Sequence, residues 1–179
     1  MLLAIDIGNT HIVTGILDNN GEVLLTFRVA SNDKLTEDEY FSYLRNISEF
    51  NKIDIKNIEG IIVASVVPNL ITIFQFLGKK YFHIDPMIVG PDIKIPFTFA
   101  PNLNPTGFGA DRIIDIVQSL NDYPDKNLVI FDFGSATTYE VLEKTVYVGG
   151  GILPGIEMSI NALFANTAKL PKVKFSTPE

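Results

Sequence analysis

LLAIDIGNTHIVTGIL at residues 2–17 and LVIFDFGSATTYEVLE at 128–143 decide the fold. Laid together without a gap, at an offset of 126 residues, they place Asp6 on Asp132, Gly8 on Gly134 and Asn9 on Ser135. Each copy is an apolar run, an Asp-x-Gly-polar turn and a second β-rich run. Unrelated hairpins share turn residues, but here the apolar flanks match at four positions as well, so the pattern reads as an internal repeat.

A duplicated fold carries a length expectation. The first copy has about 126 residues, and the second has 52, from Leu128 to Glu179. The second has its opening hairpin and one helix but lacks the later strand and helices of the first. The tail 170–179 (LPKVKFSTPE) is polar, holds two prolines and makes a poor domain ending. The expectation is an α/β chain with a first domain at 1–120 and the start of a second at 121–179. The second copy is then incomplete, and the chain is the front part of a longer protein.

Other elements follow from pattern. Runs 2–7, 12–17 and 22–29 read as three successive antiparallel strands, with Asn20-Gly21 as the second turn. Thr36 to Glu39 is a capping box opening a helix to about Phe50, whose apolar face holds Tyr40, Leu44 and Ile47. Residues 60–67 read as a buried strand closed by Pro68, followed by a helix over 69–81. Five of the ten prolines fall in 86–105, which reads as loop with short extended pieces. A helix resumes near Gly109. Strands follow at 128–133, 137–142 and 145–149, and a last helix of about a dozen residues follows Pro154-Gly155.

Composition bounds the function classes. Apolar residues make up 46% and charged ones 20%, as in ordinary globular proteins. A net charge of −7 argues against nucleic acid or anionic membrane as a partner. With no cysteine, disulfides, thiolate metal sites and cysteine nucleophiles are excluded, which suits a cytoplasmic protein. No apolar run approaches the length of a membrane span, and residues 1–6 lack the pattern of a signal peptide.

The repeated turn suits phosphate. Glycine lets the backbone approach an anion closely, and the amides from Asn9 to His11 can form a nest. Asn9 and Thr10 add neutral donors. Asp6 repels phosphate, so its natural task is to hold Mg²⁺ through water, and Asp132 is a second candidate metal ligand. No Gly-x-x-x-x-Gly-Lys-Ser/Thr loop occurs. The second constellation is Asn104-Pro105-Thr106-Gly107-Phe108-Gly109-Ala110-Asp111-Arg112. It is either a plain helix start, with Arg112 paired to Asp115, or a base beside a carboxylate clamp. In the second reading Asp111 takes a proton from a hydroxyl and Arg112 binds a carboxylate with two parallel N–H bonds.

These segments, with Ala64-Ser65-Val66-Val67-Pro68, Asp132 to Thr138, Gly149 to Gly155 and Thr167-Ala168-Lys169-Leu170-Pro171, stand in the order found in type III pantothenate kinase, which the chain resembles over nearly its whole length. The resemblance implies a duplicated actin-like, ribonuclease-H-like ATPase fold and a homodimer. It implies phosphorylation of pantothenate by ATP, the first step of coenzyme A synthesis, with Mg²⁺ and K⁺ or NH₄⁺. By position, Asp6, Ile7, Gly8, Asn9, Thr10, His11, Ile12 and Val13 would form the first ATP loop. Gly109, Ala110, Asp111 and Arg112 would bind pantothenate, with Asp111 the proton acceptor. Asp132 would hold the monovalent cation and Ser135 would touch ATP.

The chain departs from the family in three ways. Ser135 stands where many members have Thr, and Asn102 where some have a substrate-contacting Tyr. The family also continues for roughly seventy more residues, with an adenosine loop and closing helices, so this stretch by itself is expected to lack activity. The rival functions are another kinase or phosphatase of the same superfamily, acting on sugars or polyphosphate, and a non-catalytic regulatory or accessory protein.

Several residues keep plain readings. His11 is either a phosphate donor or a surface strand residue, and His83 is a surface or core histidine. Phe74, Phe76, Tyr81 and Phe82 read as core or dimer packing. Gly149 to Gly155 either cradle an anion at the following helix or allow a close packing approach.

Overall fold

The computed structural model describes residues 1–90 and 92–166. They form two compact units. The first joins Met1–Lys94 to Thr106–Ile114, and the second joins Ile95–Pro105 to the chain from Asp115 onward. No helix among the described residues is long and apolar enough to cross a membrane.

The first unit is a five-stranded sheet with two helices on one face. Strands β1 (Leu2–Ile7), β2 (His11–Leu17) and β3 (Val23–Ala30) form an antiparallel meander, and β4 (Gly60–Ser65) and β5 (Met87–Ile88) add parallel strands beyond β1. The sheet order is β3-β2-β1-β4-β5. Alternation sets the buried face, because successive strand side chains point to opposite sides. Leu3, Ile5 and Ile7 of β1 and Ile12 and Ile16 of β2 are buried together with Ile61 and Val63 of β4. Tyr40 and Leu44 of α1 (Glu37–Phe50) and Leu70, Phe74 and Leu77 of α2 (Pro68–Leu77) complete that core.

The helices begin where their caps place them. The Thr36 hydroxyl accepts from the Glu39 amide, and the Glu39 carboxylate accepts from the Thr36 amide at 2.8 Å, a reciprocal capping box. Pro68 opens α2, where a missing N–H costs nothing. That helix ends at Leu77, and a wider π turn over 78–82 carries the winding on to Phe82. Of the aromatic series, Phe74 is core, Tyr81 stacks on Phe41 with centroids 3.6 Å apart, Phe82 meets Phe41 edge-on, and Phe76 is exposed. Phe50, by contrast, closes α1 fully on the surface.

The second unit carries β6 (Thr98–Phe99), β7 (Leu128–Phe133), β8 (Ala136–Glu143) and β9 (Val146–Pro154) in the order β6-β9-β8-β7. The antiparallel β7-β8-β9 meander repeats β1-β2-β3, and α4 (Ile156–Asn166) stands in the place of α1. Helix α3 (Ala110–Asp122) begins in the first unit and ends in the second. The fold is the duplicated α/β architecture expected. Among the described residues β7 has β8 on one side and no strand on the other, whereas β1 lies between β2 and β4. Val129, Phe131 and Phe133, the counterparts of buried Leu3, Ile5 and Ile7, are more than half exposed.

One expectation is corrected. The glycines at 149–151 lie within β9, which runs on to Pro154 and does not stop at 149. Gly150 lies opposite Glu140, and a Cβ there would sit 2.7 Å from both Glu140 Oε2 and Tyr147 Oη. A Cβ at Gly151 would meet the Tyr139 ring at 2.6 Å. The glycines therefore let large side chains cross the strand. The Thr167 to Pro171 segment and the end of the tail lie outside the described residues.

Candidate active site

In the first unit β1 and β2 meet in a turn over Gly8, Asn9, Thr10 and His11. Ile7 pairs with Ile12, and the Gly8 amide donates to the His11 carbonyl at 2.9 Å. Ser31 after β3 braces the turn: its amide donates to the Thr10 carbonyl at 3.0 Å and its hydroxyl to the Gly8 carbonyl. The Asn9 and Thr10 amides find no protein acceptor among the described residues, and both residues are exposed. This is a rigid turn with donors left for a ligand. His11 is exposed at the start of β2, and Ile12 is buried with Val13 half-buried behind it. Asp6 lies on the sheet face opposite the core, with Val13 as its cross-strand neighbour. It lines a hollow of about 300 Å³ with Ala4, Val13, Gly15, Ala64 and Ile114, so Asp6 and Ile114 of α3 share one concavity.

The second unit makes the equivalent turn one residue tighter. Phe133 pairs with Thr137, and the Gly134 amide donates to the Ala136 carbonyl at 2.9 Å. The gap-free alignment therefore holds for β1 and β7 but slips by one along β2 and β8. In a strand, a slip of one exchanges the two faces. The cross-strand neighbour of Asp132 is consequently Thr138, which is buried, and not the residue the alignment implies. This hydroxyl was missed because the deletion falls inside the turn, where no hydrophobic period marks it. Gly155 underpins the same turn. A Cβ there would lie 2.6 Å from the Gly134 carbonyl oxygen, 2.7 Å from the Ser135 carbonyl carbon and nearer still to the Ser135 oxygen. Gly134 and Ser135 open onto a pocket of about 730 Å³ whose far side is α4, through Glu157, Met158, Asn161, Ala162 and Ala165. Glu157 and Asn161 were not singled out from sequence, although their i, i+4 spacing puts them on one helix face.

Gly109, Ala110, Asp111 and Arg112 sit where α3 begins. The Ile113 amide donates to the Gly109 carbonyl at 3.2 Å, the first helical bond. Ala110 is buried, while Asp111 and Arg112 are half-buried. Asp111 Oδ1 accepts from the Arg112 amide at 2.8 Å. The Arg112 guanidinium lies over the Phe108 ring, 4.2 Å from its centroid. A side chain at Gly109 would collide with the Asp111 carboxylate, so the glycine is a steric requirement of the acid's position.

The first unit thus holds the first turn and the Asp111–Arg112 pair, and the second holds Asp132 and Ser135. A groove of about 680 Å³ between the end of α1 and the π turn is lined by none of these residues. Among the described residues no three His, Asp or Glu side chains converge as a metal cage. The single carboxylate of Asp6 at the first turn fits a magnesium ion that arrives with phosphate and keeps most of its own water.

A family model for type III pantothenate kinase matches residues 2–179. The chain belongs to the type III pantothenate kinase family. A type III pantothenate kinase of Fusobacterium nucleatum is 66% identical to it over 178 residues, covering 99% of this chain and 70% of the relative. Among solved structures, a candidate Baf family transcriptional activator from Campylobacter jejuni is 20% identical at a TM-score of 0.52. That match covers 99% of this chain and 68% of the other. A candidate 2-dehydro-3-deoxygalactonokinase from Sinorhizobium meliloti is 11% identical at a TM-score of 0.54, covering 94% and 58%. These two likenesses speak to fold alone. They place this member of the kinase family in the actin-like ATPase and sugar-kinase architecture.

Proposed function

We propose that the protein transfers the γ-phosphoryl group of ATP to the primary hydroxyl of pantothenate, giving 4′-phosphopantothenate, the opening reaction of coenzyme A synthesis. Family membership makes it a pantothenate kinase that uses ATP. The observation that carries the residue assignments is the recurrence of one Asp-x-Gly hairpin in both units, beside an acid–arginine pair at a helix start.

Phosphoryl transfer demands positioning and charge neutralisation more than covalent help. The turn from Asp6 to Val13 grips phosphate through the Asn9 and Thr10 amides and side chains. Ser135, on the edge of its pocket, contacts ATP. Asp6 holds Mg²⁺ through water, and Asp132, next to the Thr138 hydroxyl, holds K⁺ or NH₄⁺. These cations, when bound, offset the charge of the polyphosphate in a protein that is itself at −7. Arg112 binds the pantothenate carboxylate, and Gly109 and Ala110 shape the floor. Asp111 accepts the proton of the attacking hydroxyl. The working protein is a cytoplasmic homodimer that needs neither nucleic acid nor membrane.

The test is to incubate the purified protein with Mg-ATP, KCl and pantothenate and follow products by mass spectrometry, with hexoses and polyphosphate in parallel. Stoichiometric phosphopantothenate and ADP are expected. Sugar phosphorylation or polyphosphate hydrolysis, with pantothenate untouched, would overturn the proposal.

A further inference from the structure

We propose that the groove between the end of α1 and the π turn binds a small amphipathic monocarboxylate, an apolar body with one anionic head. The groove lies wholly in the first unit, and its volume of about 680 Å³ is that of a small-molecule site. Its aromatic surface comes from half-buried Phe41 and Tyr81, stacked with centroids 3.6 Å apart, and from Phe82, edge-on to Phe41. Ile53, Ile55 and Ile58, from the segment after α1, add aliphatic surface. That lining suits the body of the ligand.

Charge selects the head. Arg45, Lys52 and Lys56 line the groove against two carboxylates, Glu49 and Asp54, so one positive charge is left over in a chain whose net charge is −7. Among the described residues none of these three cations has a carboxylate within 4 Å, whereas Lys79 and Lys80 of the π turn are both ion-paired. Asp54 is engaged in the fold, its Oδ1 accepting from the Lys56 amide at 3.1 Å. One carboxylate matches the surplus charge, and a phosphate monoester, at about −2, would overshoot it.

The backbone supplies an independent observation. Lys52, just past the end of α1, and His83, at the end of the π turn, have left-handed backbone, with φ +59° and +58°. Glycine adopts this conformation without a Cβ clash and is the usual residue where a helix ends. Among the described residues four that are not glycine adopt it, and two of the four line this one groove. Both are exposed, so neither side chain is there to fill a core. What they share is the groove, to which they bring an ammonium and an imidazole, each a donor for an anion.

The experiment titrates octanoate into the full protein, with 1-octanol as the probe of the same body without the charge. Isoleucine methyl NMR locates the binding and calorimetry gives its strength. Octanoate should bind once per chain and shift the methyl signals of Ile53, Ile55 and Ile58, while those of Ile7 and Ile16 in the sheet core stay in place. It should bind about fivefold more tightly than 1-octanol. Lys52→Gly and His83→Gly suit the left-handed backbone, so each should keep or raise the melting temperature. Lys52→Gly should lower the preference for octanoate over 1-octanol about threefold, and Glu49→Gln should raise it. Equal affinity for the two probes, or an unchanged preference in Lys52→Gly, would overturn the proposal. So would shifts centred on Ile7 and Ile16. An affinity that weakens as protein concentration rises would mean that a second copy of the chain covers the groove, which also overturns it. No readout needs turnover, so the assignment of the kinase site stands or falls separately.

Discussion

Replacing Gly155 with alanine tests whether the second hairpin turn is held from behind. The new methyl group would sit 2.6 Å from the Gly134 carbonyl oxygen, against an ordinary contact of 3.4 Å or more, and closer still to the Ser135 oxygen. Relief requires a backbone displacement of roughly 0.8 Å, because no flexible side chain end is available to yield. Either β9 and α4 separate from the turn, or the turn carrying Ser135 moves toward its pocket. Overpacking of this kind costs about 1–3 kcal/mol of stability. Misplacement of a binding group by about 1 Å costs on the order of 10²-fold in rate. The assay is kcat/KM for ATP in the full protein, beside thermal unfolding, with Gly90→Ala as a control at a position where a Cβ meets nothing within 4 Å and the backbone is not left-handed. The expected result is a melting temperature lowered by several degrees and a much larger proportional loss on ATP. Wild-type kinetics with ATP in a folded Gly155→Ala protein would refute both the bracing role of Gly155 and the contact of Ser135 with nucleotide.

Three further outcomes are expected. Asp111→Asn should lower kcat by roughly 10²–10⁴, the usual worth of a general base, while pantothenate affinity by calorimetry changes much less; a near-normal kcat removes Asp111 from proton transfer. Activity should be several-fold higher in K⁺ or NH₄⁺ than in Na⁺, and Asp132→Ala should erase the difference; equal wild-type rates in sodium and potassium dispose of the cation assignment. In the α1 cap, the Thr36 amide and then its hydroxyl hold the Glu39 carboxyl below its usual 4.5. A carboxyl held low in the folded state stabilises it above the ordinary value and loses that contribution as pH falls through the lowered one. Denaturation midpoints of wild type should thus exceed those of Glu39→Gln at pH 6 and approach them as pH falls below 4.5 and through the lowered value.

The sequence carried the architecture because its strongest signals are local and periodic. Leu3, Ile5 and Ile7 alternate as a half-buried strand must, and Thr36 with Glu39 announces a helix start without reference to anything distant. Repeated Asp-x-Gly turns exposed the duplication, and Asp111-Arg112 stood out as charged residues behind two glycines. What escaped depended on pairing across space. The one-residue deletion inside the second turn changes no apolar run, yet it decides that Thr138 faces Asp132. Glu157 and Asn161 look like ordinary exposed helix residues until the Gly134–Ser135 turn and α4 are seen to line one pocket. The Gly149 to Gly151 run resembles a loop in composition, and only the bulk of Tyr139, Glu140 and Tyr147 explains it as a strand.

The cluster that packs the first sheet against α1 and α2 is built from residues 1–88. Protein synthesis adds about 5–20 residues per second, and a small α/β domain folds in milliseconds to seconds, so that core can consolidate on the ribosome before the second hairpin has been made. The segment with Asp111 and Arg112 then emerges to meet a sheet already built, with Ile114 settling into the hollow beside Asp6. Residues that arrive last and contribute least to the nucleus are the ones a lineage can alter most freely. A new acceptor specificity is therefore most accessible by changing residues 106–112, with the phosphate-gripping sheet inherited intact.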